Sequence, residues 1–185
     1  MIRSFVKAVN HVKAGETTQQ RSSAIMSWRV AKSLLTLKAQ MNEAYPNRST
    51  ASHGTIGDPA HAARKSDHNP DAGGVVRAMD ITHDPVNGLS GRALADKIRA
   101  SKDPRVKYII SDAQICSGEG HPRHPAWVWR PYSGSNAHRR HVHISVHPGK
   151  LGDNGRKWKI DLPKGGAVVE APEHRDNEDN SLILK

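Results

Sequence analysis

From His141 to His147 apolar and polar residues alternate strictly, Val142, Ile144 and Val146 against His141, His143, Ser145 and His147. That two-residue period predicts a half-buried strand with histidines along one face. Val75 to Thr82 (VVRAMDIT) reads as another strand, with Ala78, Asp80 and Thr82 on one side and Met79 and Ile81 on the other. Val106 to Ser111 is a third, continued after a tight turn by Gln114 to Cys116, and Trp127-Val128-Trp129 is a further one whose two indoles share a face, expected in the core with sugar stacking as the alternative. Between these stretches the period becomes helical. One helix is expected from Ser27 as N-cap, with Leu34, Leu37 and Met41 on one stripe and its end before Pro46. Ser90 caps a second helix, Leu94, Ala95 and Ile98 form its inner stripe, and Asp103-Pro104 ends it. The mixture predicts an α+β domain over residues 27 to 162, a small antiparallel sheet carrying Asp80 and His143 with helices packed on one face.

The remaining segments are loops and arms. Residues 46 to 74 run through Pro46, Gly54, Gly57, Pro59, Pro70, Gly73 and Gly74, with one short helical turn expected at 59 to 65. Long shaped loops in small domains tend to carry function. Residues 1 to 26 form a basic arm in which Ile2, Phe5, Val6, Val9 and Val12 recur at helical spacing. It packs on the domain or, in the sharper reading, touches an anionic membrane through residues 1 to 22. Residues 163 to 185 turn polar and acidic, the pattern of a disordered tail.

Composition narrows the chemistry. The 185 residues contain 36% hydrophobic positions and a single Phe, room for one modest core. A net charge of +10 favours a polyanionic partner, which admits nucleic acid, an anionic membrane or a bacterial cell wall. The lone Cys116 excludes an internal disulfide framework and a cysteine-rich zinc module. No apolar run approaches the ~20 residues of a membrane span, and no secretory signal is visible at the N-terminus. Synthesis in a reducing cytosol, without a signal peptide, is therefore expected; a monomer is expected as well.

Twelve histidines are the compositional excess. His53, His61, His121, His124 and His174 lie in polar loops and read as structural or solvated. Three segments do more: Ser66-Asp67-His68 in a loop, Asp80 in a strand, and the group His138, His141, His143. A carboxylate among apolar strand residues is costly to bury unless it is paired or binds a cation. Two imidazoles and one carboxylate make a donor set that suits Zn2+ with a fourth position open. Zinc so held lowers the pKa of its water to ~7, which makes hydrolysis the natural chemistry, with a further histidine to move the proton. Spacing alone leaves open which of His141 and His143 is the ligand.

Ser66-x-His68, Ala78-x-Asp80 and His141-x-His143 resemble, in order and chemistry, the signature of the zinc D-alanyl-D-alanine carboxypeptidases and L,D- or D,D-endopeptidases that cut peptidoglycan and are common among phage endolysins. The stretch from Trp28 to Ser145, with YPNRS, GTIGD, SDHNP, DITHDP and RPYSGSN, resembles a phage and actinobacterial subgroup and spans about two-thirds of the chain. The resemblance implies His68, Asp80 and His143 as zinc ligands and His141 as catalytic base or transition-state stabiliser. It implies a further active-site histidine at His138, and substrate contacts at Ser66 and, more weakly, Arg64. One departure stands out. His68 and Asp80 are twelve positions apart, more than in the usual signature, so Asn69 to Val76 must hold an inserted turn, for which Asp71-Ala72-Gly73-Gly74 is suited.

The resulting expectation is zinc-dependent hydrolysis of a peptide bond in bacterial peptidoglycan, as an endolysin or a wall-remodelling peptidase acting after release from the cell. Arg139 and Arg140, with His138, are candidates to hold an anionic oxygen or a substrate carboxylate. Two other classes compete. Asp67-His68-Asn69-Pro70 with Gly73-Gly74 resembles the start of an HNH nuclease motif, but that reading leaves Asp80 and the His-x-His strand without a role and finds no basic recognition helix. A non-catalytic wall-binding or virion protein with structural zinc is the other, and three ligands with a spare histidine favour an open, catalytic site over it.

Overall fold

A computed structural model describes residues 28–56 and 65–163. The basic arm, Ser27, the turn at 59–64, Arg64 and the tail from residue 164 lie outside the described residues. The elements run β1 (Arg29–Val30), α1 (Lys32–Ala44), β2 (Val75–Val76), β3 (Ala78–Thr82), a 3-10 turn (Pro85–Asn87), α2 (Gly91–Ser101), β4 (Val106–Ser111), β5 (Gln114–Ser117), β6 (Arg130–Pro131), β7 (His141–Val146) and α3 (Gly149–Gly152). β1 and β2 form a small parallel pair. The other strands form one antiparallel sheet in the order β3-β7-β4-β5-β6, which makes the domain α+β as expected.

β7 is the last of the described strands and is inserted between β3 and β4, so both its edges are hydrogen-bonded. Residues paired across an antiparallel sheet share a face. Met79, Ile81, Ile109, Val142, Ile144 and Val146 therefore form the apolar face, and the stripes Leu34, Leu37, Met41 of α1 and Leu94, Ala95, Ile98 of α2 complete the core against it. The opposite face carries Asp80, Tyr108, His141, His143 and Ser145. β7 is not half-exposed as its alternation suggests, for His143 and Ser145 are buried as well. The loop bearing Asp67 and His68 covers them.

Two other expectations change. α1 begins at Lys32, not near Ser27, because residues 29 and 30 are taken up by pairing with β2. Its first turn is capped from far along the chain, the Lys32 N–H donating to Asp153 Oδ1 at 2.9 Å. Residues 127–129 are not a strand: Trp127 adopts φ +62° and β6 starts only at Arg130. The two indoles do pack on the core, Trp129 through Nε1–H to Asp96 Oδ1 at 2.7 Å with the Arg92 guanidinium over its ring. The α2 cap is as expected, Ser90 Oγ accepting from the Ala93 N–H. Among the described residues no helix is long and apolar enough to cross a membrane.

The segment after β7 straps across α1, pinned by a buried arginine. Arg105 is fully buried. It makes a bidentate pair with Asp103 at 2.9 and 2.7 Å, donates to the Asn154 and Arg156 carbonyls, and lies over the Trp158 ring at 4.1 Å. Burial pushes the Asp103 carboxyl up, but the hydrogen bonds and charge of Arg105 outweigh it and hold the group below its ordinary range. Asp103→Asn should cost about 3–5 kcal/mol at neutral pH, since it strands a buried cation. A carboxyl lowered on folding stabilises fully above the unfolded value of ~4 and loses that contribution as pH falls through the lowered one. Denaturant titrations should thus show the gap between variant and wild type closing below pH ~4.

Candidate metal centre

Asp80 and His143 are directly paired across β3 and β7, so backbone register alone sets their side chains side by side on the polar face. His68 arrives from the covering loop. Its turn is closed by Ser66 Oγ, which accepts the His68 N–H at 3.2 Å, so Ser66 has a local structural role there. The inserted turn is present at residues 71–74: Asp71 Oδ1 accepts from Gly73 and Val75 N–H groups, and Gly74 adopts φ +73°. It returns the chain to β2 in the space left by the longer spacing between His68 and Asp80.

Three donor atoms converge. His68 Nε2 and His143 Nδ1 are 3.1 Å apart, His143 Nδ1 and Asp80 Oδ1 3.0 Å, and His68 Nε2 and Asp80 Oδ1 3.3 Å. A tetrahedral ion with bonds of ~2.1 Å needs donor–donor edges of ~3.4 Å, close to this triangle. Hydrogen bonds alone satisfy it poorly: if both imidazoles donated to Oδ1, two N–H groups would confront each other at the 3.1 Å separation. A cation shared by three lone pairs removes that conflict. The group could hold a metal ion.

The electrostatics agree with ligand forms. Burial pushes the Asp80 carboxyl up, yet the hydrogen bonds and charges of His143 and His68 outweigh it and hold it well below the carboxylate range. Burial pushes the His143 imidazole down, toward the neutral form. An ionised carboxylate and neutral imidazoles are what a metal requires.

Two more histidines stand at the open side of the triangle. His141 Nε2 is 3.6 Å from the second oxygen, Asp80 Oδ2, beside the cluster but not in it. The tie that spacing left between His141 and His143 is thus resolved by register and ring reach, with His143 in the triangle. His138 sits at φ +51°, and its ring meets those of His141 and His143 edge-on at 4.9 and 5.6 Å. Its Nδ1 faces the Asn136 carbonyl at 2.6 Å. A carbonyl only accepts, so Nδ1 carries the proton and Nε2 of neutral His138 keeps its lone pair. Burial, then the charges of His143 and His141, lower its pKa to about 4.

A cavity of about 490 Å3 opens beside this cluster, lined among others by His53, His138, Arg139, Arg140 and His141. A second, of about 180 Å3, meets it at His138, Arg139 and His141 and extends to His83 and Asp112. Arg139 is exposed and lies 3.6 Å from Asp112, and Arg140 is exposed too. His53, read from sequence as structural or solvated, belongs to the cavity wall. Its Nε2 accepts from Arg48 Nη1 at 2.6 Å, and burial together with the Arg48 charge lowers its pKa to about 4. Next to it, Gly54 O accepts the Asp80 N–H, and a Cβ on Gly54 would come within 3.2 Å of Asp80 Oδ2. Neither Arg48 nor His53 carries a sequence signal, because both lie in an aperiodic loop whose course depends on β3. His147 leaves the site altogether and faces Glu119 at 3.5 Å.

No family model, no curated protein and no solved structure matches this chain. Metal analysis provides a direct check on the triangle. Purified protein should bind one Zn2+ per chain. His68→Ala, Asp80→Ala and His143→Ala should each weaken binding by more than the ~10–100-fold typical of outer partners, whereas His141→Ala should keep the metal.

Proposed function

We propose that the chain is a zinc-dependent peptidase that hydrolyses a peptide bond in bacterial peptidoglycan, acting on the wall after release from the cytoplasm where it is made. The observation that carries this reading is the open triangle of His68 Nε2, Asp80 Oδ1 and His143 Nδ1 with two further imidazoles at its free side. A structural zinc site closes on four protein ligands, whereas a catalytic one keeps three and leaves room for substrate. The Ser-x-His, Ala-x-Asp and His-x-His resemblance supplies the substrate class.

Zinc held by His68, Asp80 and His143 would supply a nucleophilic water at neutral pH and polarise a carbonyl. The protein's own groups do the rest. His141, close to the ligand set and partly exposed in the cavity wall, takes the proton and returns it to the leaving amine. His138, with Nδ1 held by the Asn136 carbonyl, offers its Nε2 to the same proton traffic or to an anionic oxygen. Arg139 and Arg140 in the cavity wall, with the Arg48 guanidinium bonded to the lining His53, favour a substrate bearing carboxylates. The net charge of +10 favours accumulation on an anionic wall.

Purified walls decide the matter. Wild type should release soluble peptide fragments with new amino termini, a chelator should abolish release, and added Zn2+ should restore it. His141→Ala should lose ~10²–10⁴-fold in rate while remaining zinc-loaded. Intact walls together with nicked DNA in a parallel assay would favour the HNH-like nuclease, and zinc retention with neither activity the non-catalytic wall-binding or virion protein.

A further inference from the structure

An imidazole that binds metal through one ring nitrogen usually donates its other N–H to a carboxylate, carbonyl or water, which fixes its tautomer and tilt. In His143 the atom in the triangle is Nδ1, and Nε2 is buried with no hydrogen-bond partner among the described residues. No hydrogen bond from the far side therefore orients this ring. What lies against it is Tyr108, with ring centroids 5.4 Å apart and planes at 12°, a stacked arrangement.

Tyr108 is itself held on several sides. Its hydroxyl lies beside Ser145 and Asp67. Asp67 accepts from Ser145 Oγ and from Lys107 Nζ, the latter at 2.7 Å, and pairs with Arg77 at 3.2 Å. Asp67 adjoins His68 in sequence, and Ser145 lies two residues beyond His143 on β7. One buried carboxylate thus ties both segments of the centre together beside the phenol. A register shift between Val106 and Tyr108 makes this arrangement feasible: Val106 pairs with Val146 but Tyr108 with Ser145, so Lys107 is an extra residue. Such a bulge re-aims side chains, and here both Lys107 and Tyr108 reach Asp67.

We propose that Tyr108 is the positioning residue of the metal centre: its ring sets the tilt of the His143 imidazole by stacking, where a hydrogen bond ordinarily would, and Asp67 holds the phenol in place. The inference rests on the metal centre described above. It separates two contributions, orientation by the ring face and anchoring by the hydroxyl, which different substitutions remove.

The test measures Zn2+ affinity by competition with a chromogenic chelator, the visible spectrum of the Co2+-substituted protein, and the melting of the metal-free chain. Tyr108→Ala should weaken zinc binding by ~10–100-fold and alter the Co2+ spectrum. Tyr108→Phe, which keeps the ring, should recover most of the affinity and the wild-type spectrum. Ile98→Ala, in α2 on the opposite face of the sheet, serves as a variant that lowers melting but should keep affinity and spectrum. If Tyr108→Ala does not fold without metal, Tyr108→Leu is judged by the same measures. Wild-type affinity in the ring-less variant, an equal loss in Ile98→Ala, or failure of Phe to rescue would overturn the proposal. A wild-type chain that binds no zinc is a separate result and would remove the metal centre itself.

Discussion

The architecture depends on where the Asp80 carboxylate can be tolerated. It stands in a sheet strand with Met79 and Ile81 in the core on one side and a covering loop on the other. An ionised carboxylate in such a place needs compensation, and two imidazoles converge on it, one from across the strand pair and one from the loop. The β3–β7 register, the loop that brings His68, and the small residue at Gly54 are three conditions for that single arrangement. A shift of one residue in register would turn His143 into the apolar core and leave Asp80 facing Val142 or Ile144.

The polar face is organised as a second layer beneath the His68, Asp80, His143 cluster. Asp67 is a further buried carboxylate, and it is met by Lys107, Arg77 and Ser145. Burial pushes the Asp67 carboxyl up, and these partners bring it below the ordinary range, so it stays ionised and fully engaged. The effect is to bind the covering loop to β4 and β7 by polar contacts rather than apolar ones. That keeps a buried face populated by histidines instead of leucines, at the cost of a network in which each member needs the others.

The same economy appears at the other end of the core. Arg105, fully buried, satisfies its guanidinium with Asp103 and two carbonyls of the C-terminal strap. Ser33 and Gln40 of α1 bond the strap as well, Gln40 pairing with both N–H and C=O of Trp158. The residues that follow β7 thus close the helical layer and cap α1 through Asp153.

Periodicity made much of this legible. The strands around Asp80 and His143, the two helical stripes and the Ser90 cap follow from spacing of 2 or 3.6 and from one hydroxyl at a helix start. The His68, Asp80, His143 group was legible in part because residue chemistry is local: a carboxylate in an apolar strand and histidines on one strand face mark themselves wherever the chain goes, whereas the choice of His143 over His141 came from the family resemblance. What the tertiary structure alone decided are the relations between segments distant in sequence. It capped α1 with Asp153 in place of a neighbouring serine, and buried the polar face of β7 under a loop. It turned Trp127 out of a strand and drew His53, bonded to Arg48, into the cavity wall. It also inserted Lys107 as a bulge so that Tyr108 faces His143. Each of these depends on which backbone groups find partners across the fold. A pattern of side chains along one strand or helix carries no record of that pairing.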